Sequence, residues 1–185
     1  PNIIDVERKK TKVTRSKFKH LDKIKKKFKI IITVTSKETR KNIKLIYRLA
    51  KKTVNIKFIL VGNFKDNDKK KNIFFYKDLS EDDLAYLFEV SDIYLHPSLF
   101  EGFGRTLIEA QNFGLPVVCY NTEINKEILG SSGNYLNLNL SDHQIINYIL
   151  KKKYKKNEKN EILKNSKRYS KEYIKKKFIN NINEI

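Results

Sequence analysis

The feature that most limits what this chain can fold into is a repeated alternation of short, wholly apolar β-branched runs with segments of helical periodicity. Ile30-Ile31-Ile32-Thr33-Val34 has no polar face, so it predicts a strand buried on both sides. Residues 40–52 follow with Ile43, Leu45, Ile46 and Leu49 at helical spacing, and Phe58-Ile59-Leu60-Val61 predicts a second buried strand closed by Gly62-Asn63. A polar loop over 65–72 leads to a third strand at Ile73–Tyr76. Ser80 with Asp83 three residues on marks a helix start, and Leu84, Leu87 and Phe88 form the face of that helix. The pattern then predicts a strand over Asp92–His96, a helix over 104–113, a strand over Leu115–Tyr120, a short helix near 123–129 and a weaker strand at Tyr135–Leu138. From Ser141 the chain reads as two basic amphipathic helices. Alternation of this kind specifies an α/β fold with a doubly wound, mostly parallel sheet.

Organisation follows from the same pattern. Residues 1–28 read as a linker segment outside the core, 29–140 as the α/β domain, and 141–185 as C-terminal basic helices packed on it. No apolar run reaches the roughly 18 residues that a membrane-spanning helix requires, and the Lys- and Arg-rich beginning is not a signal peptide. The single Cys119 lies inside an apolar strand and has no partner for an internal disulfide, which fits a reducing, cytoplasmic setting. The chain holds no Met, which suggests a piece of a longer protein.

The formal charge of +19 has two readings. It is a surface that attracts phosphate-bearing partners, or it is solvated lysine in a chain whose Lys, Asn and Ile usage has the stamp of an AT-rich genome. Lys151-Lys152-Lys153-Tyr154-Lys155-Lys156 and Lys175-Lys176-Lys177-Phe178 have the look of interfacial basic helices, so peripheral contact with an anionic membrane at its inner face is expected. No nucleic-acid-binding motif accompanies the charge, and no specific nucleic acid is expected.

In a doubly wound sheet ligands bind beyond the carboxyl ends of the strands, which singles out the loops at 35–41, 62–72, 77–79, 97–104 and 121–124. The most informative of these opens at His96-Pro97-Ser98-Leu99-Phe100-Glu101-Gly102-Phe103-Gly104-Arg105-Thr106-Leu107-Ile108-Glu109-Ala110. A strand ends at a proline, and a glycine-punctuated loop opens into a helix. Gly102 and Gly104 permit a tight turn and close approach of backbone to a ligand. Free amides near Gly104–Leu107 form an anion site suited to a diphosphate. Glu101 and Glu109 frame that site; carboxylates repel phosphate but accept well from sugar hydroxyl pairs, so Glu109 suits a ribose and Glu101 a transferred sugar. His20, His96 and His143 are scattered, no carboxylate pair has metal spacing, and no metal or other cofactor is expected. For His96 a packing or surface role is favoured over one in the pocket.

This segment resembles the donor-site signature of the retaining GT-B-fold glycosyltransferases called glycosyl transferases group 1. The hallmark is two glutamates separated by seven residues, here Glu101 and Glu109, in a Pro-Ser-x-x-Glu-Gly-Phe-Gly context. The Glu-Ala pair, the Gly-x-Pro-Val-Val strand and the later Glu127 also match, and the likeness runs over roughly residues 1–140, from Pro1-Asn2-Ile3-Ile4-Asp5 onward. The resemblance implies a Rossmann-like domain, the C-terminal half of a GT-B fold. It implies a UDP- or GDP-linked sugar donor and transfer of a hexose with retention, in surface polysaccharide, lipopolysaccharide or glycolipid synthesis of a bacterium. Glu109 would hold the ribose hydroxyls, Glu101 would be the catalytic-site carboxylate at the donor sugar, and Gly102, Phe103, Gly104, Arg105, Thr106 and Leu107 would meet the diphosphate or sugar. Arg40 and Lys41 stand where the family has a phosphate-binding basic residue. Many members carry an earlier Gly-Arg; Thr35-Ser36 stands in that region here, which leaves the second cation to Arg40 or Lys37. Tyr76-Lys77-Asp78-Leu79-Ser80 lacks the glycine that many members have near the nucleobase. The N-terminal domain that binds acceptor in the family is missing from this chain, so the chain alone is expected to bind donor with little or no turnover. Two other readings remain open at this stage: a nucleotide-sugar epimerase or phosphorylase of the same fold, and a basic module that binds nucleic acid or membrane.

Overall fold

The structure, a computed structural model, describes residues 17–64, 72–175 and 179. Pro1–Asp5, nearly all of the 65–72 loop and Lys176-Lys177-Phe178 lie outside the described residues. Six strands are described: β1 (Lys29–Val34), β2 (Ile56–Val61), β3 (Ile73–Tyr76), β4 (Ile93–His96), β5 (Val117–Tyr120) and β6 (Gly133–Leu136). They form one sheet in the order β3-β2-β1-β4-β5-β6, with every neighbouring pair parallel. The chain lays down β1, β2 and β3 in one direction, returns to the far side of β1 for β4, and continues outward through β5 and β6. The order therefore reverses between β1 and β4.

Successive strand residues point to opposite faces, and here both faces are apolar. Ile30, Ile32, Ile59, Val61, Tyr94, Val117 and Cys119 face one layer of helices. Ile31, Phe58, Leu60, Ile93, Leu95, Val118 and Tyr120 face the other. The first layer holds α1 (Lys19–Lys25), α3 (Glu81–Val90), α4 (Arg105–Asn112) and α5 (Glu123–Leu129), through Leu21, Leu87, Phe88, Leu107, Ile108 and Ile128. The second holds α2 (Ile43–Lys52) and α6 (Asp142–Lys151), through Leu45, Ile46, Leu49, Ile145, Ile146 and Ile149. The α3 start carries the expected cap, Ser80 accepting from the Asp83 amide. The α6 start carries a full capping box between Ser141 and Gln144.

Three features differ from the sequence-based expectation. Residues 17–28 are not all outside the core: Phe18 and Leu21 are fully buried, and Phe18 packs its ring on Tyr76 and Tyr86. Two apolar residues three apart suffice to dock a short helix, but their signal is lost in a lysine-dense stretch. The fifth strand starts at Val117 and not Leu115, since Pro116 has no amide to donate and contributes only its carbonyl, to Tyr94 N at 2.9 Å. The sixth strand is Gly133–Leu136, with Leu136 buried and Leu138 65% exposed. The C-terminal helices turn their apolar faces onto the domain. α6 packs on α2, where Asp142 accepts from Arg48 at 3.1 Å and pairs with Lys52 at 2.9 Å. Next, α7 (Lys156–Lys167) lies on α4 and buries Ile162. Lysines are left on their outer surfaces.

If α1 belongs to the core, Leu21→Ala should lower the unfolding free energy by about 2–5 kcal/mol, the usual cost of such a cavity. Urea denaturation of the two proteins measures it; a loss below about 1 kcal/mol would mean that α1 rests on the fold without anchoring it.

Candidate functional site

The reversal of strand order opens a crevice at the carboxyl ends of β1 and β4. β1 runs beside β2 over its whole length, Lys29↔Ile56 to Val34↔Val61, but its register with β4 covers only Ile31↔Ile93 and Ile32↔Tyr94. Past that point side chains take over from the backbone ladder. The Thr33 hydroxyl donates to the Leu95 carbonyl at 2.7 Å, and the Tyr94 hydroxyl to the Val34 carbonyl at 3.3 Å. The loops that leave these two strands meet above the gap: Leu99 N donates to the Arg40 carbonyl at 2.8 Å. Arg40 and Lys41 sit in a single 3-10 turn over Thr39–Lys41, and Asn42 takes a left-handed conformation to start α2.

Glu101 is the hub of the joined loops, and it is 8% exposed. Lys41 Nζ donates to its Oε1 at 2.6 Å, and Arg40 Nη1 to its Oε2 at 3.2 Å. Arg40 reaches the Phe100 carbonyl at 3.3 Å as well, and its Nε donates to Glu38 at 2.7 Å. Beneath Glu101 is His96, whose buried Nε2 is 3.2 Å from Oε1 but off the line of a well-formed hydrogen bond. Burial by itself would raise the Glu101 pKa; the contacts from His96, Lys41 and Ser98 outweigh it and hold the carboxyl far below the usual range. His96 is shifted down by burial, against the pull of Glu101, so its imidazole is neutral at pH 7. Lys37, the other cation considered for this loop, lies over the Phe64 ring at 5.8 Å.

The glycines of the β4–α4 loop divide the work. Gly104 is left-handed, φ 66°, and a Cβ there would meet Leu107 Cδ1 at 2.8 Å and Ile128 Cδ1 at 3.2 Å, so the fold itself requires glycine. A Cβ on Gly102 would meet nothing within 4 Å. Packing therefore gives no reason for glycine at 102, and a side chain there would project into open space beside Glu101. Gly104 begins α4 without any side-chain cap. Leu107 N is satisfied by the Gly104 carbonyl at 2.9 Å, while Arg105 and Thr106 present the first-turn amides. Leu107 is a core side chain and Phe103 packs edge-on to Tyr169, so these two contribute backbone rather than functional groups to the loop.

Glu109, one turn further along α4, lies in a different environment. Its nearest ion is Arg105 at 3.9 Å, and burial raises its pKa against that weak pairing. A carboxyl with a raised folded-state pKa costs stability as pH rises through its range, so at neutral pH this charge is held at the fold's expense. The structure thus joins Arg40, Lys41 and Glu101 directly, sets Gly102 and the α4 first turn beside them, and keeps Glu109 apart on the helix. Beneath them lies support to which the sequence assigns no part in the site: His96, for which it favours a packing or surface role, and Ser98, both buried, and Tyr94, whose ring stacks on His96. Its one available signal was polar residues flanking Pro97 at the end of an apolar strand. Among the described residues no group of three or more His, Cys, Asp or Glu side chains is placed to hold a metal ion. No helix among them is long and apolar enough to cross a membrane.

The family described as "Glycosyl transferases group 1" matches residues 14–177 of this chain. Over 53 residues, 29% of this chain and 14% of the relative, it is 40% identical to O-antigen chain mannosyltransferase B of Escherichia coli. It is 28% identical over 101 residues to an uncharacterized 41.2 kDa protein in the cps region of Klebsiella pneumoniae, covering 55% of this chain and 28% of that one. The crystal structure of Anabaena HepE in complex with UDP and glucose superposes with a TM-score of 0.73 at 18% identity, over all of this chain and 56% of that one. WaaG, a glycosyltransferase involved in lipopolysaccharide biosynthesis, gives 0.62 at 18% identity, over 87% of this chain and 47% of its own. These two structures share the fold, and the chain spans about half their length.

The two glycines should separate under substitution. Gly104→Ala should cost more than about 1 kcal/mol, from its left-handed backbone alone, while Gly102→Ala should stay within about 0.5 kcal/mol of the parent. Thermal melts of both variants check this, and equal losses would mean that Gly102 too is held by the fold.

Proposed function

Since the chain belongs to the glycosyl transferases group 1 family, we propose that it is the donor-binding half of a GT-B-fold glycosyltransferase, which takes a hexose from a nucleotide-sugar with retention. The observation that carries this reading is the gathering of Arg40, Lys41, Glu101, Gly102 and the α4 first turn at the point where strand order reverses. The diphosphate lies across the first-turn amides of α4, those of Arg105 and Thr106, with Arg40 and Lys41 alongside, where fixed cations and oriented amides stabilise the charge that develops on the leaving nucleoside diphosphate. The space over Gly102 admits the transferred sugar, and Glu101 accepts from its hydroxyls. Glu109, poorly paired and half-buried, accepts from the ribose hydroxyl pair, which repays the cost of holding its charge. Leu99 and Phe100, 48% and 68% exposed beside Glu101, suit contact with the facing domain that binds acceptor. The acceptor is a surface glycan or glycolipid, a reading supported by the O-antigen, cps-region and lipopolysaccharide contexts of the relatives.

The other end of the sheet supports peripheral membrane contact at the cytoplasmic face. A cavity of about 650 Å³ there is ringed by Lys25, Lys29, Lys152, Lys153, Lys156 and Lys159. Because the apolar faces of α6 and α7 are turned inward, attachment is electrostatic and without insertion. Binding to phosphatidylglycerol vesicles should therefore fall steeply with salt and be absent on phosphatidylcholine; salt-resistant binding to both would rule this attachment out.

Calorimetric titration with UDP, GDP and ADP, and with UDP- and GDP-sugars, tests the donor site. One diphosphate should bind selectively, and Glu109→Ala or Arg40→Ala/Lys41→Ala should weaken it by about tenfold or more, as loss of a hydrogen bond to a charged group implies. Equal, salt-erased binding of every nucleotide would sink the donor reading in favour of a nonspecific basic module. The chain on its own should bind donor with little or no turnover, and turnover of ordinary enzyme size would overturn that part.

A further inference from the structure

In the proposed donor site the cations meant for diphosphate are already held by an acid. Each oxygen of Glu101 faces its own cation, Oε1 with Lys41 Nζ at 2.6 Å and Oε2 with Arg40 Nη1 at 3.2 Å. The Glu101 side chain is 7% exposed and that of Lys41 17%, so solvent screens the pair weakly. The Leu99–Arg40 backbone bond locks the two loops together, and His96 lies below the carboxylate. Glu101 is thus fixed in place and in charge, in the loop that leads to the α4 start and next to Gly102, where a Cβ would meet nothing within 4 Å.

Carboxylate and diphosphate compete for the same donors. A diphosphate that draws Lys41 and Arg40 toward α4 leaves Glu101 buried, charged and short of partners, beside new negative charge. Such a group is costly unless other donors replace the lost ones. The hydroxyls of a sugar attached to that diphosphate are such donors. A nucleoside diphosphate without the transferred sugar brings only its ribose hydroxyls, which go to Glu109.

We propose that Glu101 discriminates intact nucleotide-sugar from free nucleoside diphosphate, by competing for Lys41 and Arg40 and releasing them only when sugar hydroxyls take their place. This deepens the donor-site reading above and rests on it. The consequence for turnover is directional. Once the sugar has left, Glu101 recovers the two cations and the spent diphosphate loses its hold, so one carboxylate favours donor entry and product departure together. A Glu101 that only touched sugar would add affinity for the donor and leave diphosphate affinity unchanged.

The test is calorimetric, on the 185-residue chain, with pyrophosphate, UDP and GDP, and with UDP- and GDP-sugars. Glu101→Gln keeps the shape and an acceptor for Lys41 but removes the competing charge. It should bind pyrophosphate and the preferred nucleoside diphosphate tighter than the parent by at least about fivefold, the low end of ordinary coupling between sites. The preference for nucleotide-sugar over nucleoside diphosphate should shrink by at least the same factor. Glu101→Asp, one methylene shorter and unable to keep both contacts, should shift in the same direction, which guards against misfolding of one variant. In a Lys41→Gln/Arg40→Gln background the gain from Glu101→Gln should vanish; a gain that persists there would mean simple charge repulsion and overturn the exchange. Unchanged or weaker diphosphate binding in Glu101→Gln, with binding still dependent on Glu109, would overturn the inference and leave the donor site standing. Pyrophosphate and nucleotides that bind neither parent nor variant would overturn both.

Discussion

Burial on both faces is the constraint from which the rest of this molecule follows. Ile30, Ile31 and Ile32 sit in one strand pointing alternately to two helical layers, and none is exposed. A parallel sheet with two apolar faces needs helical crossovers on each side, and a right-handed chain can fill both sides only by winding outward from the middle in two directions. The gap between β1 and β4 is the price of that solution. There the ladder stops after two registered pairs, and the Thr33 and Tyr94 hydroxyls close the distance instead. A crevice with two loops meeting overhead is thus built in by the packing before any ligand is considered.

What stands in that crevice is a contrast between two carboxylates on one short stretch of chain. Glu101 is surrounded by donors, two of them cationic, and is held firmly ionised. Glu109 has one distant arginine and is pushed the other way by burial. Similar groups eight positions apart are given different electrostatic settings because one lies in the loop facing β1 and the other on the helix that leaves it. The loop that bears Glu101 is anchored at both ends, by buried Pro97 and Ser98 before it and by left-handed Gly104 after it. Position is therefore set by backbone and packing, and the charges of Lys41 and Arg40 act on a carboxylate that is already in place.

The lysines at the amino end of the sheet have a structural use as well as a surface one. Lys29 donates to the carbonyls of Ile149 and Lys152 at 2.7 and 2.8 Å, which satisfies the end of α6, and burial lowers its pKa. Lys57 holds the Asn72 amide oxygen at 2.5 Å, and that amide donates to two carbonyls at the end of α2. Helix ends with negative partial charge collect at this face, so part of the strong positive charge is the complement of the fold's own dipoles.

Much of this architecture was legible in the sequence because it depends on local period. Apolar runs without a polar face marked the central strands, and Ser80, Ser141 and Gly104 marked where helices begin. The spacing of Glu101, Gly102, Gly104 and Glu109 on a loop that opens a helix pointed to the site, since those roles belong to one continuous segment. Other features required the folded chain. Phe18 and Leu21 enter the core from a lysine-rich stretch, and only the hydrophobic surface opposite them decides that. The choice of Arg40 over Lys37 as the second cation on Glu101 depends on which loop residue faces β4, sixty positions away. The role of His96 beneath Glu101 depends on the same approach. Local pattern specifies elements and their ends, because hydrogen bonding and side-chain period act over a few residues. Which charges meet is set by the order of strands in the sheet, and that order exists only when all six have been packed.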